Sequence, residues 1–191
     1  MNMKQGRRPR LFTLGHSDRT LNDFLRILEV SSIRFVADIR SNPASARFPH
    51  FERNALSKAL EDRGLVYRWF RELGGRRPAT KGEEEHDAFS DQGFRRYAAA
   101  MNTLDFTASV EELVGLAGST VVAMICAEKD YHFCHRQLLS DRLQVLGARV
   151  VHILDFDDAQ EHVLHEDLAV KQGRLIYKKR QLDLLSSTEA K

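Results

Sequence analysis

The sequence predicts a three-layer α/β fold with a mostly parallel sheet, either flavodoxin-like or Rossmann-like. Two observations lead to this class. Short apolar runs that suit buried strands alternate with amphipathic segments at helical spacing, and this alternation is typical of a parallel sheet with helices on both faces. The strand-like runs are also fewer than the roughly eight that a closed α/β barrel requires. We expect one domain over residues 11–185, with flexible segments at 1–10 and 186–191.

In the first part of the chain, three apolar runs are predicted strands and two amphipathic segments are predicted helices. Thr20 is placed to cap the first helix, and Asp23 follows it at capping-box spacing. Gly64 is placed to end the second helix. The predicted strands cover residues 11–15, 33–39 and 65–70, and the second helix covers 55–63.

The second part begins with a polar, acidic segment at 78–86, which is predicted to be an exposed loop. Two helices, a strand, a helix and a fifth strand then follow in that order. Their predicted ranges are 94–101, 110–117, 120–125, 137–147 and 149–154. The segment 173–177 fits a helix or a strand equally well.

Composition sets broad limits on location and partners. The net charge is +2, from 29 basic and 27 acidic side chains, and this balance does not by itself imply a polyanionic partner. The sequence shows no apolar stretch suited to a membrane span or a signal peptide. Both cysteines fall in one short segment, which fits a reducing compartment. We therefore expect a cytoplasmic protein without a membrane partner, and the oligomeric state is left open.

Polar side chains follow the predicted strands at the ends where a parallel sheet binds ligands. The candidates for catalysis are Glu128, Asp38, His16 and His135. The candidates for substrate binding are Ser17, Arg40, Ser41, Glu72, Arg76, Cys126, Cys134 and Arg136. Arginines and the helix start at Cys134 would hold a phosphate or carboxylate, while a carboxylate handles a proton and a histidine orients the substrate.

Metal and thiol chemistry are the other interpretations of these residues. Cys126, His132, Cys134 and His135 are zinc-ligand types, but their spacing lacks a second close pair. The adjacent Cys134 and His135 are also expected to point in different directions, so no metal ligand and no cofactor is predicted. A helix start beside histidine and arginine would favour a thiolate at Cys134. Disulfide chemistry between the two cysteines stays open.

Arginines alternate with aromatic residues in the first half of the chain. This composition suits a groove for single-stranded nucleic acid, but it equally suits a solvated face with core aromatics between the charges. The arginines are Arg47, Arg53, Arg68, Arg71, Arg76, Arg77, Arg95 and Arg96, and the aromatics are Phe48, Phe51, Trp69 and Phe70.

Several motifs in a fixed order give the chain a resemblance to a known family. They are Thr-Leu-Gly-His-Ser at 13–17, Leu21 with Phe24, Asp-Ile-Arg-Ser at 38–41 with Pro43, Phe51 with Leu56, Glu-Leu-Gly-Gly at 72–75, Phe94 with Tyr97 and Met101, Cys-Ala-Glu at 126–128, Cys-His-Arg at 134–136, and Gly-Arg-Leu-Ile-Tyr at 173–177. The chain resembles the bacterial domain-of-unknown-function family 488 over nearly its whole length. The resemblance implies a small cytoplasmic α/β protein whose Cys-Ala-Glu and Cys-His-Arg residues form a site, and it implies no particular activity.

Three functions follow as hypotheses. The first is an enzyme that hydrolyses a glycosidic or phosphate-linked bond in a phosphate-bearing substrate, either a nucleotide or a nucleic-acid base. The second is a non-catalytic module that binds nucleotides or nucleic acid. The third is a metal or redox sensor that uses Cys126 and Cys134.

Overall fold

A central sheet organises the protein, whose computed structural model describes residues 8–180. Six strands in this part of the chain form the sheet in the order β3-β2-β4-β1-β5-β6. The first five are parallel to one another, and β6 runs antiparallel to β5. The strands are β1 (Arg10–Gly15), β2 (Phe35–Asp38), β3 (Val66–Trp69), β4 (Val122–Cys126), β5 (Arg149–Asp155) and β6 (Asp158–Glu161).

Helices cover both faces of this sheet. Within residues 8–180 they are α1 (Leu21–Val30), α2 (Arg53–Glu61), α3 (Gln92–Ala100), α4 (Leu104–Ala117) and α5 (Arg136–Val145). Apolar residues of α1 and α2, such as Phe24 and Leu56, share one core with Leu14 of β1. Residues of the other three helices, such as Tyr97, share the opposite core with Met124 of β4. The predicted three-layer α/β architecture is therefore confirmed.

The position of β4 determines where a ligand can bind. This strand lies between β1 and β2, with Cys126 opposite Gly15 and Ile125 opposite Asp38. The helices that follow β1 and β2 pack on one face of the sheet, whereas the helix that follows β4 packs on the other. Connections that leave neighbouring strands toward opposite faces open a crevice at the carboxyl edge. The end of β4, at Cys126, therefore lies at this crevice.

Most predicted elements are present with small shifts at their ends. The largest difference is in α4, which begins at Leu104 rather than at 110. The segment 173–177 is resolved as a strand, because β7 (Leu168–Lys171) and β8 (Arg174–Tyr177) form an antiparallel hairpin.

The segment 78–86 is mostly exposed, as predicted, but it ends in a buried residue. The His86 side chain is fully buried beside Tyr177, and its Nδ1 accepts a hydrogen bond of 3.3 Å from the Tyr177 backbone amide. The segment is therefore anchored to the hairpin, which the local sequence could not indicate.

The two predicted terminal segments lie largely outside the described residues 8–180. The predicted flexible segment 186–191 lies outside the described residues, as does 1–10 apart from its last three residues, of which Arg10 begins β1. Within residues 8–180, none of the helices combines the length and apolar character that a bilayer span requires.

Candidate functional site

A cavity of about 420 Å³ opens at the carboxyl edge of the sheet. Its walls come from the loops that follow β1, β2, β3 and β4, together with the first residues of α3 and the segment before α5. Eight residues that the sequence nominated line it: His16, Arg40, Ser41, Arg76, Cys126, Glu128, Cys134 and His135. The other four, Ser17, Asp38, Glu72 and Arg136, do not line it.

Arg40 and Asp38 form a buried ion pair below the cavity. The Arg40 Nε donates to Asp38 Oδ1 at 2.9 Å, and a second nitrogen of the guanidinium donates to Oδ2. Another guanidinium nitrogen donates to the Phe51 carbonyl at 2.7 Å, and the Tyr67 hydroxyl donates to Asp38 Oδ2 at 2.7 Å. The Asp38 carboxylate therefore neutralises the Arg40 charge, and both side chains are fixed before any ligand arrives.

Arg136 is fully buried beneath the loop after β4. Its Nε donates to the Cys134 Sγ at 3.4 Å, and its Nη2 donates to the backbone carbonyls of Glu128 and Lys129. These bonds hold the loop against the start of α5. Arg136 thus contacts the loop after β4 from behind, whereas the sequence predicted it to be a direct anion ligand.

His16 is a neutral ring at the cavity wall. Burial, as the largest effect, lowers the pKa of His16 from 6.5 to about 4. The ring stacks on Phe51 at 4.2 Å between centroids, and its Nδ1 donates to the Ser17 carbonyl at 3.0 Å. The remaining nitrogen, Nε2, lies 3.4 Å from an Arg40 nitrogen. His16 can therefore accept or orient a polar group, but it carries no charge near neutral pH.

Cys126, Cys134 and His135 converge at the floor of the cavity. The His135 Nδ1 lies 3.9 Å from the Cys126 Sγ and 3.6 Å from the Cys134 Sγ. All three potential ligand atoms lie within 4.8 Å of one another. The expectation that Cys134 and His135 point in different directions is wrong. Cys134 is extended (φ −132°, ψ 146°) and His135 is helical (φ −55°, ψ −13°), and this change of backbone conformation turns both side chains toward Cys126.

The two thiols are not equivalent. A hydrogen bond from the Cys126 thiol, with His135 and Arg136 nearby, holds the pKa of Cys134 well below its usual range. The same hydrogen bond, together with burial, raises the pKa of Cys126 well above its usual range. In the isolated protein a negative charge in this pair therefore resides on Cys134.

Two glycines make room for this arrangement. A Cβ on Gly75 would lie 2.4 Å from the His135 Nδ1, and a Cβ on Gly15 would lie 1.8 Å from the Glu128 carbonyl oxygen. Side chains cannot be accommodated at such distances. Close approach therefore explains why glycine occurs in these two motifs.

Sequence reasoning missed several cavity residues. Those not nominated as ligands are Asn42, Ala44, Ser45, Gly75, Asp91, Gly93, Phe94, Tyr97, Ala127 and Phe133. Phe133 stands at the wall with 77% of its surface exposed, although its position between His132 and Cys134 gave no such signal. Phe94 and Tyr97 lie on α3, which does not directly follow a strand of the sheet, so the sheet-edge argument could not find them. Only their place among the family motifs pointed to them.

Four of the eight arginines singled out in the first half, Arg47, Arg53, Arg68 and Arg77, lie over aromatic rings of the same chain. The Arg53 guanidinium lies 4.7 Å from the centre of the Trp69 ring, and that of Arg68 lies 4.9 Å from the Phe70 ring. Arg68 also forms an ion pair with Glu112. These contacts are intramolecular, so these four arginines are accounted for without a nucleic-acid ligand.

The fold and the cavity define a three-layer α/β protein with a small-molecule-sized site at a switch point of its parallel sheet. Residues 20–143 match the family model described as "Domain of unknown function DUF488". The chain belongs to this family, which confirms the resemblance. Comparisons with curated proteins and with solved structures find no match.

Proposed function

We propose that the cavity is the active site of a hydrolase that acts on a phosphate-bearing substrate, either a nucleotide or a nucleic-acid base. The observation that carries the proposal is the position of Glu128. Glu128 lines the cavity and is exposed, and its carboxylate has no hydrogen-bond partner among residues 8–180. A volume of about 420 Å³ falls within the range of small-molecule sites.

The phosphate would be bound at the rim formed by the loops after β2 and β3. Arg76 is exposed there, and its backbone amide donates to the Ser41 Oγ at 2.6 Å. Ser45 and Asn42 add polar groups to the same wall. Arg40 and Arg136 use most of their donors within the protein, so Arg76 is the arginine best placed to contact an anion.

Glu128 would act as a general base during hydrolysis. It removes a proton from a water molecule while the water oxygen forms a bond to the electrophilic carbon or phosphorus. The glycosidic or phosphate-linked bond breaks, and the proton passes from the Glu128 carboxyl to the leaving group. The neutral His16 would orient a substrate hydroxyl, since its Nε2 can accept a hydrogen bond without adding charge.

The test combines ligand binding with turnover for nucleotides, sugar phosphates and short single-stranded DNA. Thermal shift identifies a stabilising ligand, and chromatography measures its hydrolysis. We expect Glu128→Gln to retain binding and to lose turnover by about 100-fold or more. Arg76→Ala should lose the thermal shift, whereas Arg63→Ala, which changes an exposed arginine outside the cavity, should keep it.

Equal turnover in Glu128→Gln and the wild-type protein would remove Glu128 from the mechanism. Binding that depends on Arg76, with no product from any ligand of the panel, would instead support a non-catalytic nucleotide-binding module. A thermal shift that survives Arg76→Ala would contradict the proposed phosphate position.

A further inference from the structure

Three potential metal ligands at the floor of the cavity have the spacing of a tetrahedral site. Zinc binds cysteine sulfur at about 2.3 Å and histidine nitrogen at about 2.0–2.1 Å, so two corners of a tetrahedron occupied by sulfur and nitrogen lie about 3.6 Å apart. The observed distances from the His135 Nδ1 are 3.6 Å to the Cys134 Sγ and 3.9 Å to the Cys126 Sγ. Both distances are within a few tenths of an ångström of that value, and all three ligand atoms lie within 4.8 Å of one another.

His135 is held in the orientation of a metal ligand. Its Nε2 lies 3.1 Å from the carbonyl oxygen of Ile39, at the end of β2. Because a carbonyl only accepts hydrogen bonds, Nε2 carries a proton, and Nδ1 is the nitrogen that faces the two sulfurs. Metal-binding histidines characteristically donate their second nitrogen to a carbonyl or a carboxylate in this way. Packing against Tyr97, at 5.0 Å between ring centroids, further restricts the ring.

The sulfur ligands have similar support. Arg136 donates to the Cys134 Sγ at 3.4 Å from a buried position, and hydrogen bonds to a coordinating sulfur are part of the shell that tunes a metal site. Cys126 is fixed by the parallel pairing of β4 with β1. The three groups thus come from a strand end and a helix start, which hold their positions without a ligand.

We propose that Cys126, Cys134 and the Nδ1 of His135 bind zinc or a similar thiophilic divalent cation. Both cysteines and His135 line the cavity, so the fourth coordination position faces the space that a substrate would occupy. Three protein ligands with an open fourth position are typical of catalytic zinc rather than of structural zinc. The site uses the same cavity as the hydrolysis proposed above, but it stands without it, because metal binding is measured without substrate.

The test uses cobalt as a spectroscopic substitute for zinc. The protein, prepared under reducing conditions and stripped with a chelator, is titrated with Co²⁺, and zinc is then added in competition. We expect one equivalent to bind, with visible absorption bands of tetrahedral cobalt and a thiolate-to-cobalt charge-transfer band. Cys134→Ser and His135→Ala should each weaken binding by about 100-fold, at the upper end of losses seen when supporting groups are removed.

Two further variants separate coordination from general damage. Gly75→Ala keeps all three ligands but introduces a Cβ 2.4 Å from the His135 Nδ1, and we expect it to weaken cobalt binding by about 10-fold or more. His132→Ala removes an exposed neighbouring histidine outside the cluster and should bind like the wild type. Circular dichroism of each variant confirms that it is folded.

Failure to bind one equivalent, or equal binding by Cys134→Ser and the wild type, would overturn the metal site. A cobalt spectrum without thiolate charge transfer would do the same. The two proposals fail separately. Cobalt binding without turnover of any phosphate-bearing ligand leaves the metal site standing and removes the hydrolysis, while turnover by a protein that binds no cobalt leaves the hydrolysis standing and removes the metal site.

Discussion

Among single residues, Arg136 shows how a buried cation supports the site without entering it. It hydrogen-bonds the Cys134 sulfur and two loop carbonyls, and it is fully buried. Arg136→Met replaces the guanidinium with an apolar side chain of similar length and leaves the sulfur and the two carbonyls without their donor. We expect it to lower the free energy of unfolding by about 2–4 kcal/mol, measured by urea denaturation.

The control for this prediction is Arg63→Met at an exposed position, which should change stability by less than about 0.5 kcal/mol. If both variants unfold at the same urea concentration, Arg136 does not hold the loop. Activity assays of Arg136 variants should accordingly be corrected for folding, since a loss of binding there does not identify a ligand contact.

The sequence predicted which residues lie at the candidate site better than it predicted which side chains they contact. Cys126, Cys134 and His135 were nominated from their place between a strand and a helix. Their convergence depends on the backbone angles at Cys134 and His135, which no residue type specifies. Arg40 was likewise nominated as an anion ligand, but Asp38, two residues earlier, occupies its guanidinium.

Among the helices, α1 begins with a cap at Thr20 that the sequence predicted and the structure confirms. The Thr20 Oγ1 accepts a hydrogen bond from the Asp23 amide at 3.1 Å, and the hydroxyl donates to the Asp23 carboxylate at 2.7 Å. Thr20→Ala removes both bonds. We expect it to lower the free energy of unfolding by about 1 kcal/mol, again measured by urea denaturation.

Thr103 supplies the matched control for this cap. It occupies the same position before α4, but its side chain makes no capping bond to that helix. Thr103→Ala loses only a hydroxyl bond to the Ala100 carbonyl and should cost less than about 0.5 kcal/mol, as expected for a surface substitution. Equal losses in the two variants would contradict the capping interpretation.

Elements with a strong apolar signal were predicted, and those without one were missed. All four residues of β2 and all five of β4 are buried, and both appeared in the sequence as apolar runs. All four residues of β6 are exposed. This strand forms because it pairs with β5, and its composition carries no apolar signal from which it could be predicted. The early start of α4 was missed because Asp105, Thr107 and Ser109 are weak helix formers, although Phe106 continues the buried face four residues before Val110.

For the whole molecule, buried histidines such as His16 and His152 link stability to pH. Burial lowers the pKa of His16 to about 4 and that of His152 to about 2, from 6.5. Below pH 6.5 the unfolded chain therefore binds more protons than the folded one. The free energy of unfolding is highest above pH 6.5 and decreases as the pH is lowered. The loss continues to about pH 4 for His16 and about pH 2 for His152. Between pH 6 and 5 each should contribute a slope of up to about 1.4 kcal/mol per pH unit.

Urea denaturation of His152→Gln at several pH values checks this prediction. The slope of the free energy of unfolding against pH should be smaller in this variant than in the wild type by up to about 1.4 kcal/mol per pH unit, the contribution of one histidine. Leu113→Ala, which truncates a fully buried apolar side chain of α4, should be less stable at each pH but keep the wild-type slope. An unchanged slope in His152→Gln would show that this histidine does not titrate differently on folding.

The place of β4 in the sheet also bears on synthesis of the chain. Because β4 separates β1 from β2, these two strands lie about 10 Å apart, two strand spacings, and cannot pair with each other. A nascent chain that ends before Val122 carries both strands without the one that joins them. Their facing backbone groups then remain unpaired, and unpaired strand edges invite pairing with other chains. Until residues 122–126 arrive, these facing edges can pair with other chains, and the same strand that places Cys126 in the cavity then covers both of them.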